Sequence, residues 1–228
     1  LIKEENKVNK INGLVLSAGL SSRMFNFKPF LPYQGVSFLL SVLMKLSGFC
    51  SEIFVVSGYR SQEIVNHVVE WSKRSYRKEW YNQFGLKEEN FNDLFSKVQF
   101  VYNAKFYIGM FSSLQKGCQA MLNKNWIFYH FVDQPHLPLS FYQNLIEQIS
   151  SDYDWVQPKY DQRKGHPLLF NQYVRKVILD TPGSGELRLI SEKKEIRKFF
   201  WECPYHQVIE NFNTKSDLKF LGDNHDYI

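Results

Sequence analysis

The sequence predicts an α/β protein built on a doubly wound, mostly parallel sheet in a three-layer α/β/α arrangement. Three observations predict it. Apolar runs of strand length alternate with helix-length segments through the first 150 residues. Those runs are apolar residue after residue, as strands buried on both faces are, rather than alternating with polar positions. The two loops richest in chemistry, Ser17 to Lys28 and Asp133 to Pro135, follow carboxyl ends of such runs.

The polar, lysine-rich start "LIKEENKVNK" reads as an exposed lead-in without the apolar core of a leader. Leu14, Val15 and Leu16 form a strand that breaks at Ser17-Ala18-Gly19. "SFLLSVLMKLSGF" (37–49) is an apolar helix and "EIFVVSG" (52–58) a second buried strand, which completes one βαβ unit. In "SQEIVNHVVEWSKRSYRKEW" (61–80), Ser61 opens a helix whose Ile64, Val68 and Trp71 share a face. Residues 81–97 are polar with scattered aromatics and read as a surface excursion holding a short helix. "KVQFVYN" (97–103) is the third strand.

"FSSLQKGCQAMLNK" (111–124) is predicted as a helix capped by Ser112 or Ser113, and "WIFYHFVDQPHL" (126–137) as the most apolar strand, ending at Asp133-Gln134-Pro135. Beyond it the pattern loosens. "LSFYQNLIEQIS" (139–150) is helical, and "DWVQPKY" (154–160) and "HPLLF" (166–170) are strands joined by the charged loop "DQRKG". "ELRLISEKKE" (186–195) is a helix, "IRKFFWECP" and "VIENFNT" are two strand candidates, and a last helix begins near Lys215. The expected organisation is a single domain over 11–222, with a nucleotide-binding half at 11–150 and an acceptor-binding half at 151–222.

Composition narrows the function classes. With 228 residues, 44% hydrophobic and 22% charged, the chain is an ordinary globular protein able to bury a sizeable core. Its net charge of +5 is spread with Asp and Glu along the chain, so no basic face for nucleic acid is signalled. Cys50, Cys118 and Cys203 are far apart without a C-x-x-C, which fits neither a disulfide framework nor a zinc knuckle and suits a reducing cytoplasm. No run approaches the roughly 18 apolar residues of a membrane span.

The loop after the first strand has the parts of an anion site. Ala18 to Ser22 offer small side chains and inward N–H groups, and Arg23 and Lys28 offer a forked and a movable cation. It is neither a P-loop nor a G-x-G-x-x-G, and an ordinary strand-to-helix turn with two solvated cations reads equally well. Asp133 stands where a carboxylate could bridge hydrated Mg²⁺ to phosphates, or could cap the turn into the next helix. Gly165-His166-Pro167 either lines a pocket or is structural, and Asn213 either completes a metal shell or caps the final helix. Gly109 to Leu114 place a helix N-terminus after a strand, suited to a base, a second anion or plain capping.

Together these segments resemble a known family. "LVLSAGLSSRMFNFK" is similar to the L-A-A-G-x-S-x-R-M-G-x-x-K signature of the MobA-like nucleotidyltransferases, in the molybdenum cofactor cytidylyltransferase branch. "GMFSSLQKG", "DQPHL", "RKGHPLLF" and "NFNTKSDL" resemble that branch's further elements in the same order, across residues 13–218. The resemblance implies a Rossmann-like fold of the nucleotide-diphospho-sugar transferase type. It also implies that Ser17, Ala18, Gly19, Ser21, Ser22, Arg23, Lys28 and Ser113 bind the nucleotide, with Arg23, Lys28 and Asp133 catalytic. Asp133 and Asn213 would hold Mg²⁺, and Gly165, His166 and Pro167 would face a molybdopterin acceptor. Ser17-Ala18-Gly19 looks like the cytidine-using branch, since members with a Gly-Gly pair there favour guanine. A molybdenum hydroxylase or its accessory protein is the implied recipient. Phe25 replaces the usual Gly, Val132 the Gly before Asp133, and Asn211 and Asn213 two aspartates.

The expected reaction is Mg²⁺-dependent transfer of CMP from CTP, with pyrophosphate released. Two alternatives stand beside it. One is a transferase acting on a sugar phosphate or isoprenoid precursor, and the other a non-catalytic accessory protein that binds nucleotide or cofactor.

Overall fold

A computed structural model of the chain describes residues 10–19, 27–73, 88–121 and 126–212. The elements follow in order: β1 (Ile11–Ser17), a 3₁₀ turn (Lys28–Phe30), β2 (Pro32–Tyr33), β3 (Val36–Ser37), α1 (Phe38–Ser47), β4 (Glu52–Ser57), α2 (Ser61–Ser72) and α3 (Glu88–Lys97). Next come β5 (Val98–Tyr102), a 3₁₀ turn (Phe106–Ile108), α4 (Met110–Ala120), β6 (Trp126–Phe131) and α5 (Leu139–Ile146). The last are β7 (Trp155–Tyr160), β8 (Arg163–Lys164), β9 (Leu168–Phe170), α6 (Gln172–Asp180), α7 (Leu187–Glu192), β10 (Lys198–Glu202) and a 3₁₀ turn (His206–Ile209).

The main sheet has the order β10-β7-β9-β6-β1-β4-β5, with β8 also paired to β7. The neighbours β6, β1, β4 and β5 run parallel, as do β7 and β10, whereas β9 lies antiparallel between β6 and β7. β1 sits at the centre because all seven of its residues are buried. Alternate side chains enter opposite layers: Val15 and Val55 meet α1, α2 and α5, whereas Leu14, Leu16 and Val56 meet α4, α6 and α7. This two-sided burial is why the strands read as unbroken apolar runs. Gly117 lets α4 settle on the sheet, because a β-carbon there would lie 2.3 Å from a Leu14 methyl.

Several expectations change in detail. "VIENFNT" does not begin as a strand: residues 206–209 form a 3₁₀ turn, in which Val208 is buried and its carbonyl accepts from the His166 N–H. α4 starts at Met110 behind an uncapped Gly109, so neither Ser112 nor Ser113 caps it; Ser112 Oγ instead donates to the carbonyls of Lys105 and Gly109. α6 was not expected. Its Val174, Val177 and Ile178 are as common in strands as in helices, and the Asn171 side chain, accepting from the N–H groups of Tyr173 and Val174, decides for the helix. The helix expected at 61–80 is seen over 61–72, and the last helix lies outside the described residues. Among the described residues no helix is long and apolar enough to cross a membrane.

Candidate active site

β1 and β6 are neighbouring parallel strands in register from Ile11 opposite Trp126 to Leu16 opposite Phe131, so the loops that follow them emerge side by side. That position, beyond the carboxyl ends of adjacent strands, is where open α/β sheets bind ligands. Lys28 begins the 3₁₀ turn after the first loop, with buried Pro29 next to it. Aromatic packing fixes the turn: the Arg60 guanidinium stands 4.9 Å from the Phe27 ring centre and 5.6 Å from that of Phe30. The His67 ring lies 4.7 Å from Phe30 on its way to a hydrogen bond with Ser37.

From this turn Lys28 Nζ donates to Asp133 Oδ2 at 3.2 Å, joining the two loops across 105 residues of sequence. Both side chains are largely enclosed, at 16% and 19% exposure. The turn that carries Asp133 is tied down on its other side. The Phe212 N–H donates to the Asp133 carbonyl, and Gln134 Nε2 donates to the carbonyls of Val208 and Glu210, each at 3.2 Å. Burial pushes the nearby Lys45 ammonium down to about 7.

Ser17 and Ala18 are buried at the tip of β1, and Gly19 is exposed. Among the described residues, a β-carbon at Gly19 would meet nothing within 4 Å. Ser21, Ser22, Arg23 and Asn213 lie outside the described residues, as does Phe25.

Two observations test whether a divalent ion suits this place. Among the described residues, Asp133 Oδ1 and Ser17 Oγ are buried polar atoms without a hydrogen-bond partner. No three His, Cys, Asp or Glu side chains gather among those residues, so a protein-only metal cage is not built. One carboxylate with a spare oxygen fits Mg²⁺, which takes one or two carboxylates and completes its shell with substrate oxygens and water.

A cavity of about 690 Å³ opens on the α4, α6 and α7 side of the sheet. Its floor is Tyr129, Phe131, Trp155 and Leu168, its walls are the start of α4 and the stretch Gly183 to Glu192, and Lys164 and His166 stand at the side. His166 is pressed against Phe131, with ring centres 4.7 Å apart, and burial pushes its pKa down to about 4, so the ring is neutral at pH 7. Its Nδ1 is buried and has no partner among the described residues.

Gly165 and Pro167 shape the cavity without lining it. A β-carbon at Gly165 would sit 2.7 Å from the Val208 carbonyl oxygen, so only glycine lets this strand pass. Ser113 is not among the lining residues either. The residue is 3% exposed, and its hydroxyl accepts from Asn103 Nδ2 at 2.9 Å.

The structure thus brings Lys28, Asp133, Ser17 and Ala18 to one end of the sheet and sets His166 in the cavity that Tyr129 and Phe131 of β6 line. The wall at Gly183-Ser184-Gly185 carries no motif that the sequence singled out. Its placement beside Phe111 depends on Gly185, where a β-carbon would lie 3.0 Å from the Phe111 ring.

Fold and site define a class: a doubly wound α/β protein with a cation and a carboxylate at the carboxyl ends of adjacent central strands. The chain belongs to the MobA-like NTP transferase family, whose domain description matches residues 13–197. It is therefore a nucleotidyltransferase by family. It is 23% identical over 181 residues to the molybdenum cofactor cytidylyltransferase of Escherichia coli K12, covering 79% of this chain and 80% of that one. Its fold matches a nucleotidyl transferase from Methanothermobacter at TM-score 0.67 and 19% identity, covering 93% and 96% of the two chains. It also matches the Rv0371c protein of Mycobacterium tuberculosis H37Rv, solved as a manganese complex, at TM-score 0.63 and 17% identity, covering 93% and 97%.

Proposed function

We propose that this protein transfers CMP from CTP to the phosphate of a molybdopterin-type acceptor and releases pyrophosphate. The observation that carries the reading is the Lys28–Asp133 pair at the ends of β1 and β6, together with a cavity large enough for an acceptor that Tyr129 and Phe131 of the same β6 line. An acceptor phosphate oxygen attacks the α-phosphorus in line as the bond to the β-phosphate oxygen breaks. This needs alignment and charge neutralisation rather than a protein nucleophile. Arg23 and Lys28 balance the charge that grows on the departing pyrophosphate. Ser17, Ala18, Gly19, Ser21 and Ser22 wrap the base and phosphates. Asp133 and Asn213 would hold Mg²⁺, which would supply positive charge to offset that of the phosphates.

The neutral His166 ring stands beside the acceptor, whose ring system suits the aromatic floor of Tyr129 and Phe131. Residues 11–150 would then serve the nucleotide and 151–222 the acceptor within one domain, with a molybdenum hydroxylase or its accessory protein as recipient in the cytoplasm. The name of the Escherichia coli relative supports the acceptor and the base.

Pyrophosphate release tests the proposal. CTP with molybdopterin and Mg²⁺ is expected to release it, and GTP to release much less. Tight nucleotide binding with no release from any triphosphate would sink the catalytic reading.

A further inference from the structure

Helix α1 runs beneath the site, and all of its residues are buried. Lys45 is among them at 5% exposure. An amine so enclosed is costly unless carbonyls meet its N–H groups. Here one loop meets them: Lys45 Nζ donates to the Pro135 carbonyl and, at 2.9 Å, to the Leu137 carbonyl. Ser41, four residues earlier and so on the same face of the helix, donates its hydroxyl to the Pro135 carbonyl at 3.2 Å. A single stripe of α1 therefore grips the chain just after Asp133.

The same ammonium reaches the other half of the site. It stands 5.5 Å from the centre of the Tyr33 ring. Tyr33 belongs to the β2–β3 hairpin that connects the Lys28 turn to α1. The hairpin is itself closed at its base, where the Phe38 N–H donates to the Leu31 carbonyl at 2.8 Å. Lys45 touches both segments that deliver the Lys28–Asp133 pair.

We propose that Lys45, assisted by Ser41, is a positioning residue that holds the Asp133-Gln134-Pro135 turn in register with the Lys28 turn, so that the Asp133 carboxylate faces the metal-nucleotide complex in one orientation. An apolar side chain of similar length would fill the space, take the Lys45 donor from the Leu137 carbonyl and leave the Pro135 carbonyl to the Ser41 hydroxyl alone. Those carbonyls would turn toward other donors and carry Asp133, two residues before Pro135, with them.

This inference rests on the nucleotidyltransferase reading of the site. It is tested by titrating the full chain with Mn²⁺ in the presence of CTP and without acceptor, reading free Mn²⁺ by electron paramagnetic resonance. Lys45→Met is expected to weaken Mn²⁺ binding about tenfold, the size of effect seen when groups supporting a metal ligand are removed. Ser41→Ala is expected to weaken it less and in the same direction, and neither is expected to change CTP affinity measured without metal. A folded Lys45→Met protein that binds Mn²⁺ as tightly as the parent overturns the role. Should Lys45→Met fail to fold, an unchanged Mn²⁺ affinity in Ser41→Ala overturns it instead. If the parent itself takes up no Mn²⁺ with CTP, the proposed function fails and the positioning role falls with it.

Discussion

The two oxygens of Asp133 are in different states: Oδ2 accepts from Lys28, and Oδ1 is buried without a partner among the described residues. With one oxygen engaged by a cation, Mg²⁺ affinity is expected to be low until a triphosphate draws Lys28 away and adds its own oxygens. Asp133→Asn removes the charge that attracts the ion, so it is expected to abolish turnover while sparing part of the nucleotide affinity. Activity measured against Mg²⁺ concentration checks this, and a parent-like rate and metal dependence would reduce Asp133 to a turn residue. Asn213→Asp, which adds a carboxylate, is expected to tighten Mg²⁺ in the same assay. Arg23→Ala, removing a forked donor from the triphosphate, is expected to cost about 2–4 kcal/mol of transition-state stabilisation with folding almost unchanged. A normal kcat/KM in the folded variant would overturn the phosphate role of Arg23.

At the scale of elements, one carboxylate organises three starts. Asp154, just before β7, accepts from the main-chain N–H and the guanidinium of Arg197, which precedes β10, and from the Asn171 amide, which caps α6. The Arg197 side chain, bonded to it, holds the Asp154 carboxyl down to about 2. A depressed carboxyl stabilises the fold above its unfolded value of about 3.9, and that stability is lost as pH falls through the folded value.

Burial acts in a higher window on three histidines. His130, His136 and His166 are pushed down to about 3, 4 and 4, so the unfolded chain binds their protons first. Stability is therefore expected to fall in two overlapping stages on acidification, from about pH 6.5 toward pH 3 through the histidines and below about pH 4 through Asp154. Melting temperature followed against pH checks the order, and Asp154→Asn is expected to flatten only the lower stage. A variant whose upper stage disappears instead would contradict the assignment.

For the whole molecule, a ligand bound only by the native state raises apparent stability with the logarithm of its concentration over its dissociation constant. A melting panel of nucleoside triphosphates is expected to rank CTP above GTP, and Mg²⁺ is expected to enlarge the shift if the proposed metal-nucleotide complex is what binds. Equal shifts for every triphosphate would remove the base preference and leave the fold and the anion loop intact.

The sequence by itself determined the alternation of buried strands and helices, the parallel centre of the sheet, and the two loops that carry Lys28 and Asp133. These are properties of windows about ten residues long, where burial on two faces and helical spacing write themselves into neighbouring side chains. Tertiary structure alone decided that β9 slips antiparallel between β6 and β7, that "VIENFNT" opens as a turn against His166, and that Ser113 spends its hydroxyl on Asn103. It alone brought Lys28 to Asp133 and set Lys45 under both of their loops. The contacts of Lys28 with Asp133 and of Lys45 with the Leu137 carbonyl join residues 105 and 92 positions apart. Their formation depends on which faces of distant elements pack together, and no local pattern of side chains records that choice.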